Sequence, residues 1–190
     1  MTTETILSIF LGVGLAASVG FRVFLPLFAM SLFAYFGKIP LNESWEWIGS
    51  LAAVITLGVA MVVEILAYYI PWVDNILDSI AVPLAAIAGT AVVVATASNM
   101  DPVVTWALAI IAGGGTATAI KGTASAARLT STATTGGVAN PVVSTVETAT
   151  ASVMSVFSIF IPILAIILTV LIIFLIRKVY KKFRPSTVKT

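Results

Sequence analysis

The chain contains neither cysteine nor histidine. Their absence excludes disulfides, thiol nucleophiles, haem held by His or Cys, and zinc sites built on either residue. A metal here would need oxygen ligands, of the kind that suit Mg²⁺, Ca²⁺ or Na⁺. No cofactor is expected, and a proton relay would rest on Asp and Glu, with Lys as a further member. Charge is also scarce, at 9% of 190 residues, where soluble domains carry about 25%. With 59% hydrophobic residues and a mean hydropathy of +1.12, this composition describes an integral membrane protein. The class expected is all-α: a polytopic helical membrane protein with broken or re-entrant helices, whose main partner is the lipid bilayer. Nothing in it points to nucleic acid. The opening Met-Thr-Thr-Glu-Thr lacks the basic start of a signal peptide, so the first apolar segment is expected to be retained.

The apolar runs place spans at about 5–19, 22–36, 48–70, 76–98, 102–120 and 152–176, in a single transmembrane domain covering residues 1–190. The first two meet at Gly20-Phe21-Arg22, with Pro26 just beyond. They form either a tight hairpin or one long bent helix. Arg22 at the break is either an interface arginine or the buried partner of an anion or carboxylate. Gly37–Trp47 is a polar connection whose Trp45 and Trp47 suit an interfacial belt. Glu64 lies well inside the third span. Asp74 and Asp78 open the fourth, four residues apart and so on one helix face. They either complement the helix dipole or form a cation or proton site with Glu64. Pro83 is expected to kink that helix.

The stretch Gly113–Ser152 stands apart, with about three quarters of its residues Gly, Ala, Ser or Thr. Such residues let helix backbones approach closely. It carries Lys121, Arg128 and Glu147 between two apolar segments, and charges at membrane depth are expected to face an interior. One reading is a Ser/Thr/Gly-rich loop outside the membrane. The other is a broken or re-entrant element packed inside the bundle, flexible at Gly113, Gly114 and Gly115 and broken near Thr134–Pro141. Apolar spacing through Ile120, Ala124, Ala127 and Leu129 supports burial. Asn140 followed by Pro141 reads as a capped helix start. That helix runs to about Phe183, roughly 60 Å at the α-helical rise, so it must project from the membrane or bend at Pro162. Six of the ten basic residues follow Ile176. They make 177–190 a cytoplasmic flank by the positive-inside rule, in the inner (plasma) membrane of the cell. Two topologies follow, depending on whether Gly122–Thr150 re-enters or crosses.

Gly14 precedes Arg22 by eight residues, as Gly113 precedes Lys121. Pro71 precedes Asp74 and Asp78, as Pro141 precedes Ser144 and Glu147. These spacings point to two related halves, an arrangement common in transporters.

The elements Leu15-Ala-Ala-Ser-Val-Gly-Phe-Arg22, Leu25-Pro26-Leu27 and Pro71-Trp-Val-Asp74 with Asp78 resemble a known family, as do Lys121, Arg128 and Pro141. It is the family of small bacterial membrane proteins classed as domain of unknown function 4126. The resemblance implies a helical membrane fold and supplies no activity.

The ionisable set is therefore Arg22, Glu64, Asp74, Asp78, Lys121, Arg128 and Glu147, three bases against four acids. It fits a pathway for an ion, proton or small solute through a polar interior. An alternative is a buried ion-pair network that fixes helix packing. A second is a metal-dependent enzyme acting on lipid headgroups, of which the chain has only the Asp74-x3-Asp78 part. Small-residue faces in so small a chain make a homo-oligomer, a dimer or larger, the expected state.

Overall fold

The computed structural model describes residues 2–70 and 72–183. Pro71 and the basic tail from Arg184 lie outside the described residues. All regular structure among them is helical. α1 (Thr3–Phe21) starts at Thr2, whose hydroxyl accepts from the Thr5 amide at 3.2 Å, and ends where Arg22 turns extended. α2 (Phe24–Tyr35) follows with Pro26 in its first turn, where a missing N–H costs nothing. A short 3₁₀ helix (Glu43–Gly49) meets α3 (Leu51–Ala67) at a 64° bend. α4 (Val73–Thr96) contains Pro83 and begins after Trp72, a left-handed residue with φ 66°. α5 (Pro102–Leu108) is capped by Asp101, passes through a π-helical turn (Ala109–Gly114), and continues as α6 (Gly115–Thr135). α7 (Asn140–Phe160) and α8 (Pro162–Phe183) complete the chain.

Among the described residues, four helices are long and apolar enough to cross a membrane, or five if the bent pair counts as one span. The polarity is that of a bundle in lipid. Val103, Ile111, Val59 and Val170 face outward, while Arg22, Lys121 and Arg128 are fully buried. α1 is the axis, with α4, α6, α7 and α8 packed around it. Close approach of helices requires glycine at several points, of which two are examples. A side chain on Gly14 would strike both Ser158 and Ala165, and one on Gly113 would strike the Gly89 carbonyl and Val93.

Several breaks fall elsewhere than the sequence places them. Gly20 lies inside α1, packed on Ile120, and the break comes at Arg22–Val23. There the chain makes a hairpin: Lys38 and Ile39, beyond α2, return beside Leu7 and Leu11 of α1. Gly113–Gly115 does not break the helix. The π turn absorbs the glycines, and one continuous helix of 34 residues runs from Pro102 to Thr135. It stops at Gly136 and Gly137, both at positive φ.

The inward face of α6 is Lys121, Ser125 and Arg128. Of the apolar spacing, Ile120 is buried, while Ala127 and Leu129 face out. The helix from Asn140 does not continue to Phe183. Ser158 and Ala165 meet the same point on Gly14, which a straight helix forbids for residues seven apart. The chain doubles back at Ile161, and α8 returns along α1, packing Leu168 and Ile172 beside Ala17 and Met154. The chain therefore reverses twice, at Gly136–Gly137 within Gly122–Thr150, where α7 turns back beside α6, and again at Ile161.

The outward side of the Pro102–Thr135 helix changes character along its length. Val103, Val104, Ile110 and Ile111 are exposed early, and Thr123, Ala126, Thr130 and Thr134 later. The change comes near Gly122, about 30 Å from Pro102 by helical rise, which matches the hydrocarbon thickness of about 30 Å. Lys121 and Arg22 thus lie at the rim of the hydrocarbon layer, on the side toward which α8 runs past Arg177 and Lys178.

Candidate functional site

The break after α1 is held open by a side chain. Glu64, near the end of α3, accepts from the Val23 amide at 2.8 Å and the Phe24 amide at 2.9 Å. Both are unsatisfied donors of the α2 N-terminus, where a carboxylate also complements the helix dipole. Four residues on, Tyr68 caps α3 and is buried. Its ring is the hub of the site. The Arg22 guanidinium lies 4.2 Å from its centroid, that of Arg128 4.4 Å, and the Lys121 ammonium 5.2 Å. One aromatic ring thus attracts three cations through its quadrupole. The Tyr68 hydroxyl donates to Asp78 at 3.1 Å.

Arg22 is anchored on α7. Its Nε donates to Thr148 at 3.0 Å, and its Nη2 donates to the Ser144 carbonyl at 3.0 Å and to the Ser144 hydroxyl. Glu147 approaches it at 3.7 Å and bonds Arg128 directly. Arg128 also meets Asp78 through Nε at 3.1 Å. Lys121 donates to the Phe21 carbonyl at 3.1 Å, one of the free carbonyls at the end of α1. Asp74 accepts from Asn140 at 2.6 Å and from the Asn75 amide at 2.7 Å. Asn140 is therefore not a cap: its amide faces inward, linking Asp74 to Thr132 at 2.9 Å. Pro141 sits in the first turn of α7.

The seven ionisable residues thus converge, but they divide. Glu64 and Asp74 serve the N-termini of α2 and α4. The inner set is three cations, Arg22, Lys121 and Arg128, against two carboxylates, Asp78 and Glu147. Among the described residues, Arg22 Nη1, Arg128 Nη1, Glu147 Oε1 and Ser125 Oγ are buried with no hydrogen-bond partner. Asp74 and Asp78 do not share a target, and among the described residues no three carboxylates gather as a metal site would need.

Below the cluster, buried hydroxyls line the α1–α7 contact. Ser18 donates to the Ala151 carbonyl at 2.7 Å and lies 2.8 Å from the Ser155 hydroxyl, with Ser158 beyond. This line leads toward a recess of about 490 Å³ at the opposite end, bordered by Glu4, Ser8, Lys38, Thr96, Asn99 and Pro162. Ser144, Thr148, Ser155 and Ser158 recur at helical spacing on one face of α7, a signal present in the sequence. Tyr68 carries no such signal, because only the fold brings its ring to the cations.

These features define a polytopic helical membrane protein with an enclosed charge cluster at the tip of its first helical hairpin. Residues 9–182 match the family described as "Domain of unknown function (DUF4126)", and the chain belongs to that family. No curated protein and no solved structure matches it.

Proposed function

We propose that the protein is a small transporter that moves an ion or small charged solute through its polar interior. Arg22, Lys121, Arg128, Asp78 and Glu147 form the binding and gating group. The observation that carries this reading is the pair of unpartnered guanidinium ends. Arg22 and Arg128 are both enclosed, yet each keeps a free Nη1 beside a carboxylate with a free oxygen. Buried polar groups in a purely structural network are almost always satisfied. Donors and acceptors left open around one point suit a guest. The hydroxyl line and the recess at the far end supply an approach from the other side.

A structural role is favoured for Glu64 and Asp74, whose oxygens are taken up by helix N-termini and Asn140. A headgroup enzyme loses its anchor, since Asp74 and Asp78 diverge. A homo-oligomer draws support from the exposed Val138, Val142 and Val146 next to the small-residue outer side of α6.

Flux into proteoliposomes tests the transport reading. Proton, sodium, potassium, chloride and acetate gradients are imposed in turn. Wild-type protein should carry at least one, and Arg128→Gln or Glu147→Gln should cut that flux tenfold or more while keeping wild-type helicity. Folded wild-type protein that carries none of them overturns the reading.

A further inference from the structure

α3 packs on α2 and leaves a gap to α4. That gap is an apolar groove floored by Val23, Phe24 and Leu27, with an inner part of about 200 Å³ and an outer part of about 550 Å³. Its rims are exposed apolar residues: Val63 on α3, and Ile80 and Ile87 on α4. By helical rise it runs about 27 Å from Ser50 to Tyr68, enough for a chain that spans one leaflet, about 15 Å of the hydrocarbon. It opens to the bilayer along its side and closes at one end, against Glu64 and Tyr68. Arg22 and Arg128 lie 4.2 and 4.4 Å from the centroid of that Tyr68 ring.

Three observations identify what fits. Both guanidinium groups have a buried Nη1 without a partner, and guanidinium recognises oxyanions in preference to other groups. Glu64, the acid at the closed end, has both oxygens bonded to backbone amides. The cluster also lies at the rim of the hydrocarbon layer, the depth at which a lipid headgroup resides. We propose that the site takes a single-chain lipid anion from the bilayer. The carboxylate of a fatty-acid-type molecule meets Arg22 and Arg128, its chain lies between α3 and α4, and the Tyr68 side chain must shift to admit it.

This rests on the cluster being a solute site, and its test reads binding rather than flux. Oleate, oleyl alcohol and acetate are each titrated against purified protein, with complexes counted by native mass spectrometry and by the rise in unfolding temperature. Oleate should bind at least tenfold more tightly than oleyl alcohol, and acetate should have no effect below millimolar levels. Arg128→Gln should remove the preference for oleate over the alcohol. Ala60→Phe, which fills the groove and leaves the cluster intact, should weaken oleate tenfold or more. If Arg128→Gln does not fold, Ala60→Phe and the three-ligand comparison still decide. Equal binding of oleate and oleyl alcohol overturns the proposal, as does full oleate binding by Ala60→Phe. An effect of acetate equal to that of oleate would mean an anion taken from water, and also overturns it. Oleate binding without any flux removes the transport reading and leaves this one standing. Inorganic ion flux without oleate binding does the reverse.

Discussion

At the scale of single residues, a buried charge stands or falls by the groups that meet it. Glu64 and Glu147 are both acids inside the bundle, yet they do different work. Glu147 bonds one cation and approaches a second, whereas Glu64 bonds two backbone amides and so ties α3 to the start of α2. Charge-assisted bonds of this kind contribute about 1.5–3 kcal/mol each, and a buried amide left without an acceptor costs about 1–3 kcal/mol. Glu64→Gln keeps one acceptor oxygen and should lower stability by about 1–3 kcal/mol. Glu64→Ala strands both amides and should cost about twice that. Unfolding followed by tryptophan fluorescence in detergent gives the order wild type, Gln, Ala. Two variants as stable as wild type would show that water serves these amides equally well. Because Glu64 is outside the inner set, any folded Glu64→Gln protein should retain wild-type flux.

At the scale of elements, the glycines of the 113–115 run separate two roles that look alike on paper. Gly113 faces Gly89 and Val93 across the α4–α6 contact, while nothing stands near Gly115. Gly113→Ala must push two helices apart, at the roughly 1–3 kcal/mol typical of overpacking. Gly115→Ala meets no atoms and gains helix propensity, up to about 1 kcal/mol. The two alanines should therefore shift the unfolding temperature in opposite directions, and shifts of one sign would refute the packing described. The same contrast explains what could be read in advance. Helical class, the α1–α2 break and each charge follow from local sequence. Their partners do not, because Arg22 meets Ser144 and Lys121 meets Phe21 across distances of 122 and 100 residues. Pro162 was equally consistent with a kinked helix and with the first residue of a new one. The extended-side φ of −138° at Ile161 decides for the second, through packing on Gly14 that no local pattern encodes. The α6 periodicity is legible, but its inward face is the polar stripe Lys121, Ser125, Arg128, because its partners Glu147 and Asp78 lie on that side.

At the scale of the molecule, the charge cluster is tolerable because of where the bilayer lies. A charge at the bilayer centre costs at least about 2.5–3.5 kcal/mol on insertion scales, and the cost falls toward the interface. A helix of 34 residues is about 51 Å long, some 20 Å more than the hydrocarbon it crosses. Its outward residues are large and apolar before Gly122 and, Leu129 apart, small or polar after it, so the excess stands on the side of the cluster. That side also holds the Gly136–Gly137 turn, the Tyr68–Trp72 turn and the end of α8. The opposite side holds Thr2, Lys38 and Asn99, which share the recess region there. The absence of cysteine makes this directly testable with single-cysteine variants and a membrane-impermeant thiol reagent. Thr130→Cys and Thr134→Cys should react from the same side as Lys181→Cys. Lys38→Cys should react only from the other side. Ile111→Cys and Val170→Cys, exposed to lipid rather than water, should resist labelling from both. A Thr130→Cys protein that stays unlabelled would place the upper half of α6 within the hydrocarbon. The cluster would then lie deep in the membrane, too far from the headgroups for a lipid anion to reach it without leaving its leaflet.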